Sequence, residues 1–262
     1  MRVLITGAGR AIGAATAIEL TKAGHEVIAT ARDVSLLADL DVAQRLAMDV
    51  TSDESVREAL ERAGSIDAVV NNAATHGHGT LEEYPLDQLR LMFETNSIGA
   101  IRVVQRLLPL WRTRGSGVIV NISSVQGRVA SPLEGAYSAS KYALEAFSEA
   151  LHYELRHFGI RTVIIQPGFI APGMKPLPVP EHNPAYQGLW DEWSGLDVKV
   201  TGPSGRPGPE IVGAAVLRAV EDETTPLRVP VGDDAHLILA ARSQLDDASF
   251  EAAMRTTLDV HW

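Results

Sequence analysis

Short runs of β-branched and apolar residues alternate with longer amphipathic stretches along most of this chain, and that alternation restricts the fold more than any other feature. Strands are expected at Arg2–Thr6, Glu26–Ala31, Arg45–Met48, Ile66–Asn71, Gly117–Ile122, Arg161–Gln166 and Leu227–Val229. Several are almost wholly apolar, as in Val118-Ile119-Val120, which is the pattern of strands covered on both faces. Helical spacing fills Ala11–Ala23, Ser52–Ala63, Leu86–Arg114 and Tyr137–Phe158, with Gly99 and Pro109 as irregularities in the third. The order implies right-handed βαβ units in an α/β fold: a doubly wound parallel sheet of about seven strands with helices on both faces. Residues 1–262 read as one domain, with an irregular Pro- and Gly-rich lid at about 169–209.

Composition removes several function classes. The net charge of −10 disfavours nucleic acid, because phosphate neutralisation needs clustered Lys and Arg. The chain has no cysteine, so disulfides, thiolate metal sites and a Cys nucleophile are excluded. The apolar run Val3-Leu4-Ile5 is too short for a secretory segment, and no stretch has the length of a membrane span. A cytoplasmic protein is the expectation.

The first strand runs into Thr6-Gly7-Ala8-Gly9-Arg10-Ala11-Ile12-Gly13, and a helix follows. Glycines there allow backbone to approach a pyrophosphate, and the helix N-terminus offers N–H groups and a positive dipole end. With a strand before and a helix after, the turn reads as a Rossmann-type dinucleotide site holding Gly7, Gly9 and Arg10. No Gly-Lys-Ser/Thr follows, which argues against a phosphate-cleaving loop. The second strand ends Ala29-Thr30-Ala31-Arg32, with Ala31 at the position where an acidic residue would bind the adenosine ribose of NAD. Arg32 and Arg10 can instead converge on a 2′-phosphate, which favours NADP(H) over NAD(H), although Asp33 beside them points the other way.

Tyr137 and Lys141 stand four apart and so share a helix face. An ammonium beside a phenol stabilises the phenolate and makes tyrosine a usable acid or base. Ser124 ends the fifth strand thirteen residues earlier, at the strand end where open α/β sheets place ligands. Ser123 reads as structural.

Together the Thr6–Gly13 turn, Asp49, Asn71-Asn72-Ala73-Ala74, Asn96-Ser97-Ile98-Gly99, Ser124, Tyr137-x-x-x-Lys141 and Pro167-Gly168 resemble the short-chain dehydrogenase/reductase family in its compact single-domain branch. The wording around Tyr137 is closest to members acting on hydroxysteroids, retinoids and related alcohols. The resemblance implies that Tyr137 gives its proton to a carbonyl oxygen as hydride arrives, and that Ser124 holds that oxygen. Lys141 would bind the nicotinamide ribose and depress the Tyr137 pKa, and Asn96 would fix a relay water. It also implies cofactor contacts at Ile12, Asp49, Val50, Asn71, Ala73, Pro167 and Gly168. Three positions depart from the family pattern. Ala11 replaces its middle glycine, Ala74 replaces a common glycine, and Pro172 stands where a carboxamide-binding Thr is frequent, which leaves the backbone at Ile170 for that task.

On the substrate side, Gln126, Phe169, Met174 and Trp190 are the candidates, with Trp193 a lid wall or a subunit contact. Glu134 reads as an exposed loop acid or a specificity carboxylate. His76-Gly77-His78 lacks a carboxylate or Cys partner in the local sequence, so it reads as a loop near the substrate mouth and no metal is assigned. The expected function is an NADP(H)-dependent oxidoreductase interconverting a small-molecule carbonyl and alcohol, as a homodimer or homotetramer. The alternative is a non-catalytic NADP(H) sensor on the same fold.

Overall fold

The computed structural model describes residues 1–178, 182–193, 199, 201 and 205–261. Seven parallel strands form one sheet: β1 (Arg2–Ile5), β2 (Glu26–Ala31), β3 (Gln44–Ala47), β4 (Ala68–Asn71), β5 (Gly117–Ile122), β6 (Ile160–Pro167) and β7 (Arg228–Val231). Their order is β3-β2-β1-β4-β5-β6-β7. The order reverses between β1 and β4, so the crevice beyond the carboxyl ends of those two strands is the ligand-binding position of the architecture. Both the glycine turn after β1 and the Asn71-Asn72 segment after β4 open there.

The described helices are α1 (Ala11–Lys22), α2 (Asp53–Ala63), α3 (Leu86–Phe93), α4 (Gly99–Arg114), α5 (Gly135–Leu155), α6 (Gln187–Trp193), α7 (Glu210–Glu221), α8 (Asp233–Gln244) and α9 (Asp247–Leu258). Alternate strand residues face opposite cores. Val3, Ile5, Val120 and Ile165 pack with Leu20 of α1 and Val216 of α7. Leu4, Ile28, Val69 and Ile119 pack with Val56 of α2 and Leu107 and Trp111 of α4. Each such fully buried aliphatic side chain stabilises the fold by about 1.5–3 kcal/mol before the entropy of ordering is counted. No helix among the described residues is long and apolar enough to cross a membrane.

The expected helix Leu86–Arg114 divides in two. A π turn, Glu94–Ile98, separates α3 from α4 and buries Asn96 and Ser97. Gly99 ends that turn, whereas Pro109 lies within an unbroken α4. The Asn96 amide bonds the loop after β4 and α5, and the wider turn accommodates that inward-facing side chain. Three helices not expected from the sequence complete the C-terminal part: α7 before β7, and α8 and α9 after it. Within the expected lid, residues 179–181, 194–198, 200 and 202–204 lie outside the described residues.

Candidate active site

The site assembles from the carboxyl ends of β1, β4, β5 and β6. Gly7 has φ +67°, and a Cβ there would lie 2.9 Å from the Ala73 Cα, so the turn and the loop after β4 touch through backbone. Thr6 Oγ1 accepts hydrogen bonds from the N–H groups of Asn72 and Ala73, each at 3.0 Å. Asn72 Nδ2 donates to the carbonyls of Thr6 at 3.0 Å and Gly7 at 2.9 Å. Thr6 and Asn72 therefore bind the two walls of the crevice together. They went unread in the sequence because their partners lie 65 or more positions away.

The glycine turn fits a dinucleotide. At the start of α1, Arg10 makes no side-chain cap and the first turn carries no acidic residue, so its N–H groups and positive end stay available for phosphate. A Cβ at Gly13 would lie 2.3 Å from the Gly7 carbonyl oxygen, so only glycine lets the helix approach the turn. Ala11 has φ +46°, the left-handed region that explains the glycine expected there. Asn71 donates through Nδ2 to Asn121 Oδ1 at 2.8 Å, while its own buried Oδ1 has no partner among the described residues. Arg10 and Arg32 are exposed, and neither forms an ion pair with a described residue. Asp33 instead turns its Oδ1 onto the Ser35 N–H at 2.9 Å and hydroxyl at 2.7 Å.

Two expected cofactor residues have other engagements. Asp49 Oδ1 accepts from the Thr51 N–H at 2.9 Å and hydroxyl at 2.8 Å, closing a local turn. Val50 packs its side chain on Gly99, and its carbonyl accepts from Arg102 at 2.6 Å. At the far side of the crevice, the Phe169 N–H donates to Asp234 Oδ2 at 2.6 Å. That carboxylate fills the space where a Gly168 Cβ would stand, so Asp234 of α8 sets the path of the Pro167–Phe169 segment. Ile170 is buried beside it, and Ile12 packs half-buried on the α1 side of the core.

Tyr137 and Lys141 occupy the first two turns of α5 and are both buried. The Ser124 hydroxyl neighbours the Tyr137 phenol and acts to lower its pKa, against the larger effect of burial. Ser124 Oγ also accepts from the Gln126 N–H at 3.1 Å. Lys141 Nζ donates to the Ile122 carbonyl at 2.8 Å and stands 5.7 Å from the Tyr137 ring centroid. The expected effect of Lys141 on the phenol is not what this arrangement gives. Burial first, and the charge of Glu134 second, push the Tyr137 pKa up, opposed only by the Ser124 hydroxyl. Burial pulls the Lys141 ammonium down to about 8, with Glu145 opposing.

Asn96 is held by its side chain. Its Nδ2 donates to the Thr75 carbonyl and to Ser140 Oγ, each at 2.9 Å, and its Oδ1 accepts from the Thr75 N–H at 2.7 Å. Both amide protons are committed to protein, so the side chain fastens the loop after β4 to α5. Ser140 completes the link by donating to the Tyr137 carbonyl at 2.7 Å.

Around the phenol ring lie Tyr84, Met92, Ala136 and, partly buried, Leu89 and Leu177. His76 meets the ring edge-on at 4.9 Å between centroids. Glu134, at the N-cap position of α5, is no exposed loop acid: it contacts His76 Nε2 and His78 Nδ1, each at 2.8 Å. The carboxylate partner missing from the local sequence thus arrives from 58 positions away. Beyond this cluster a cavity of about 300 Å³ is lined by Leu81, Pro132, Leu133, Tyr186 and Leu189, among others.

Of the substrate candidates, Gln126 holds the Ser138 hydroxyl on Oε1 at 2.6 Å, a structural engagement. Phe169 lies under the Arg206 guanidinium at 5.5 Å, and Met174 is exposed. Trp190 stacks on His182 at 5.0 Å. Trp193 packs, with Met254, against Leu258 and Val260 at the end of the C-terminal helix.

Comparison with known proteins agrees with this geometry. Residues 1–179 match the family model for short chain dehydrogenase. A 3-ketodihydrosphingosine reductase of Bacteroides thetaiotaomicron is 33% identical over 261 residues, covering 97% of this chain and 96% of that protein. A short-chain dehydrogenase from Streptomyces avermitilis superposes with a TM-score of 0.82 at 35% identity, covering 99% of this chain and 96% of the other. A short chain dehydrogenase from Burkholderia cenocepacia, in complex with NADP, gives a TM-score of 0.76 at 25% identity over 98% and 96% of the two chains. The chain belongs to the short-chain dehydrogenase family, and is an oxidoreductase with a nicotinamide dinucleotide as its class of cofactor.

Proposed function

We propose that the protein is an NADP(H)-dependent oxidoreductase that interconverts a carbonyl and an alcohol, with Tyr137 as the general acid and base. The observation that carries this reading is the buried Tyr137 phenol with the half-buried Ser124 hydroxyl as its neighbour, at the carboxyl end of β5 beside the dinucleotide crevice. Two hydroxyls so placed grip one substrate oxygen: Ser124 positions it, and Tyr137 gives or takes its proton. Bound nicotinamide supplies or accepts the hydride. Lys141, buried next to the ring, would meet the ribose hydroxyls of a bound dinucleotide and would bring a positive charge beside the phenol as it ionises. Thr6, Asn72, Asn96 and Ser140 hold the loop after β4 and the head of α5 at fixed distance, so the pair is in position before substrate enters.

The preference for NADP(H) rests on Arg10 and Arg32, two exposed guanidinia at the adenosine end of the crevice, and on Asp33 being turned onto Ser35. The apolar lining of the cavity beyond Glu134 suits a substrate whose carbonyl is attached to an aliphatic or ring body. We also infer a homodimer or homotetramer, because α4 and α5 leave Leu110, Phe147 and Tyr153 exposed.

A panel of ketones and aldehydes assayed by NADPH consumption tests the activity. Tyr137→Phe is expected to bind NADPH with unchanged affinity and to lose about 10²–10⁴-fold in turnover; full turnover would remove Tyr137 from the chemistry. Binding of NADPH should exceed that of NADH, and Arg32→Ala should weaken NADPH by about tenfold or more while leaving NADH unaffected. Equal affinities for the two dinucleotides would overturn the cofactor assignment.

A further inference from the structure

The loop after β4 and the turn ahead of α5 bring together three side chains that hydride transfer does not use. One ligating atom from each of His76, His78 and Glu134 lies within 4.8 Å of the others. The two imidazoles meet edge to face at 4.5 Å. The cluster is partly buried, with side-chain exposures of 13% for His76 and 14% for Glu134, while His78 at 43% leaves a way in from solvent. Its segments are fastened together: the Gly79 N–H donates to the Leu133 carbonyl at 2.8 Å, and the Leu177 N–H to the His76 carbonyl at 2.7 Å. The donors therefore sit on loops that tertiary contacts hold in place.

Two neighbouring polar atoms have no hydrogen-bond partner among the described residues: His76 Nδ1 and the Tyr84 hydroxyl. Tyr84 is 5% exposed, and its hydroxyl would lie 2.5 Å from a Cβ built on Gly77, so it abuts the loop between the two histidines. Buried polar atoms without partners cost stability, and a water on a bound ion would give the Tyr84 hydroxyl a partner. With neutral imidazoles the cluster carries one uncompensated carboxylate charge. Arg206 is near enough to act on His78 electrostatically, but from outside the three-donor set.

We propose that His76, His78 and Glu134 form a divalent-cation site, with zinc as its occupant. Two imidazoles and one carboxylate are a ligand set of zinc sites that use three protein ligands and an open fourth position, and the absence of thiolate and of a carboxylate cage disfavours copper(I), calcium and magnesium. Zinc held at about 2.0–2.1 Å in tetrahedral geometry needs its donors about 3.3 Å apart. The 2.8 Å imidazole–carboxylate contacts would open slightly, and the widest separation, within 4.8 Å, would close. The ion would clasp the loop after β4 to the head of α5 against the Tyr137 ring, and would keep a fourth position for water or a substrate oxygen.

Titration of the chelator-treated full chain with zinc chloride, followed by calorimetry, tests the proposal without recourse to turnover. The expected result is one equivalent bound at micromolar affinity or tighter, with cobalt(II) giving the intense visible absorption of a tetrahedral site. His78→Ala, at the most exposed ligand, and Glu134→Gln should each weaken binding at least tenfold with the far-ultraviolet circular dichroism unchanged. His182→Ala, at a histidine elsewhere on the surface, should bind as the unmodified chain does. Affinity weaker than about 100 μM, or binding that survives both ligand variants, would overturn the proposal: the first outcome means an ion-pair cluster alone, the second an adventitious ion on other histidines.

Discussion

At Lys141, burial sets the charge state before any ligand does. The side chain is 2% exposed, and burial lowers its pKa from 10.5 to about 8. Between those values the unfolded chain binds more protons at this position than the folded one, so the stability contributed by Lys141 rises with pH across the window. The charged form costs the fold on the order of 3 kcal/mol at pH 7. Urea unfolding of the unmodified chain and of Lys141→Met should show the former gaining on the variant from pH 8 to 10; a constant difference would refute the burial argument. Ala11 makes a second residue-scale case. A methyl group at φ +46° costs about 1–2 kcal/mol, partly offset because glycine loses more entropy on folding. Ala11→Gly should therefore raise stability by about 0.5–1 kcal/mol and tighten dinucleotide binding through added room at the turn. An unchanged urea midpoint would mean that the turn carries no strain.

Elements show where periodicity is a sufficient guide and where it is blind. The runs of β2 and β5 are legible to the residue, because strands buried on both faces carry apolar residues at most positions, one after another. The stretch from Leu86 to Arg114 is helical in spacing throughout, and only Gly99, at its end, marks the π turn at Glu94–Ile98 locally. That turn exists because Asn96 bonds Thr75 and Ser140, which are 21 and 44 positions away. Close packing of elements is equally non-local. Gly117 opens β5 against the Trp111 ring, where a Cβ would fall 2.4 Å from a ring carbon, while the indole N–H donates to the Ile66 carbonyl at 2.7 Å. Gly117→Ala must displace that buried ring, and should cost about 1–3 kcal/mol in urea unfolding with no change in dinucleotide affinity. A neutral effect would show that the strand can shift to admit the methyl group.

For the whole molecule, the reversal of strand order between β1 and β4 places the glycine turn, Asn71, Ser124 and Tyr137 around one crevice. Outside it, the apolar side chains left on α4 and α5 predict association; sedimentation at micromolar concentration should give a dimer or tetramer, and a monomer would count against that surface. The sequence by itself determined the α/β class, the parallel sheet, the dinucleotide turn and the Tyr137–Lys141 spacing, because each is written in residues close together along the chain. Only the tertiary structure decided how those groups are charged and held. It put Lys141 on the Ile122 carbonyl, committed the Asn96 amide to protein, packed Trp193 against the C-terminal helix, and gave His76 and His78 the carboxylate of Glu134. The physical reason is that burial, electrostatic field and hydrogen-bond partnership depend on distance in space, and at each of these positions the deciding neighbour is remote in sequence.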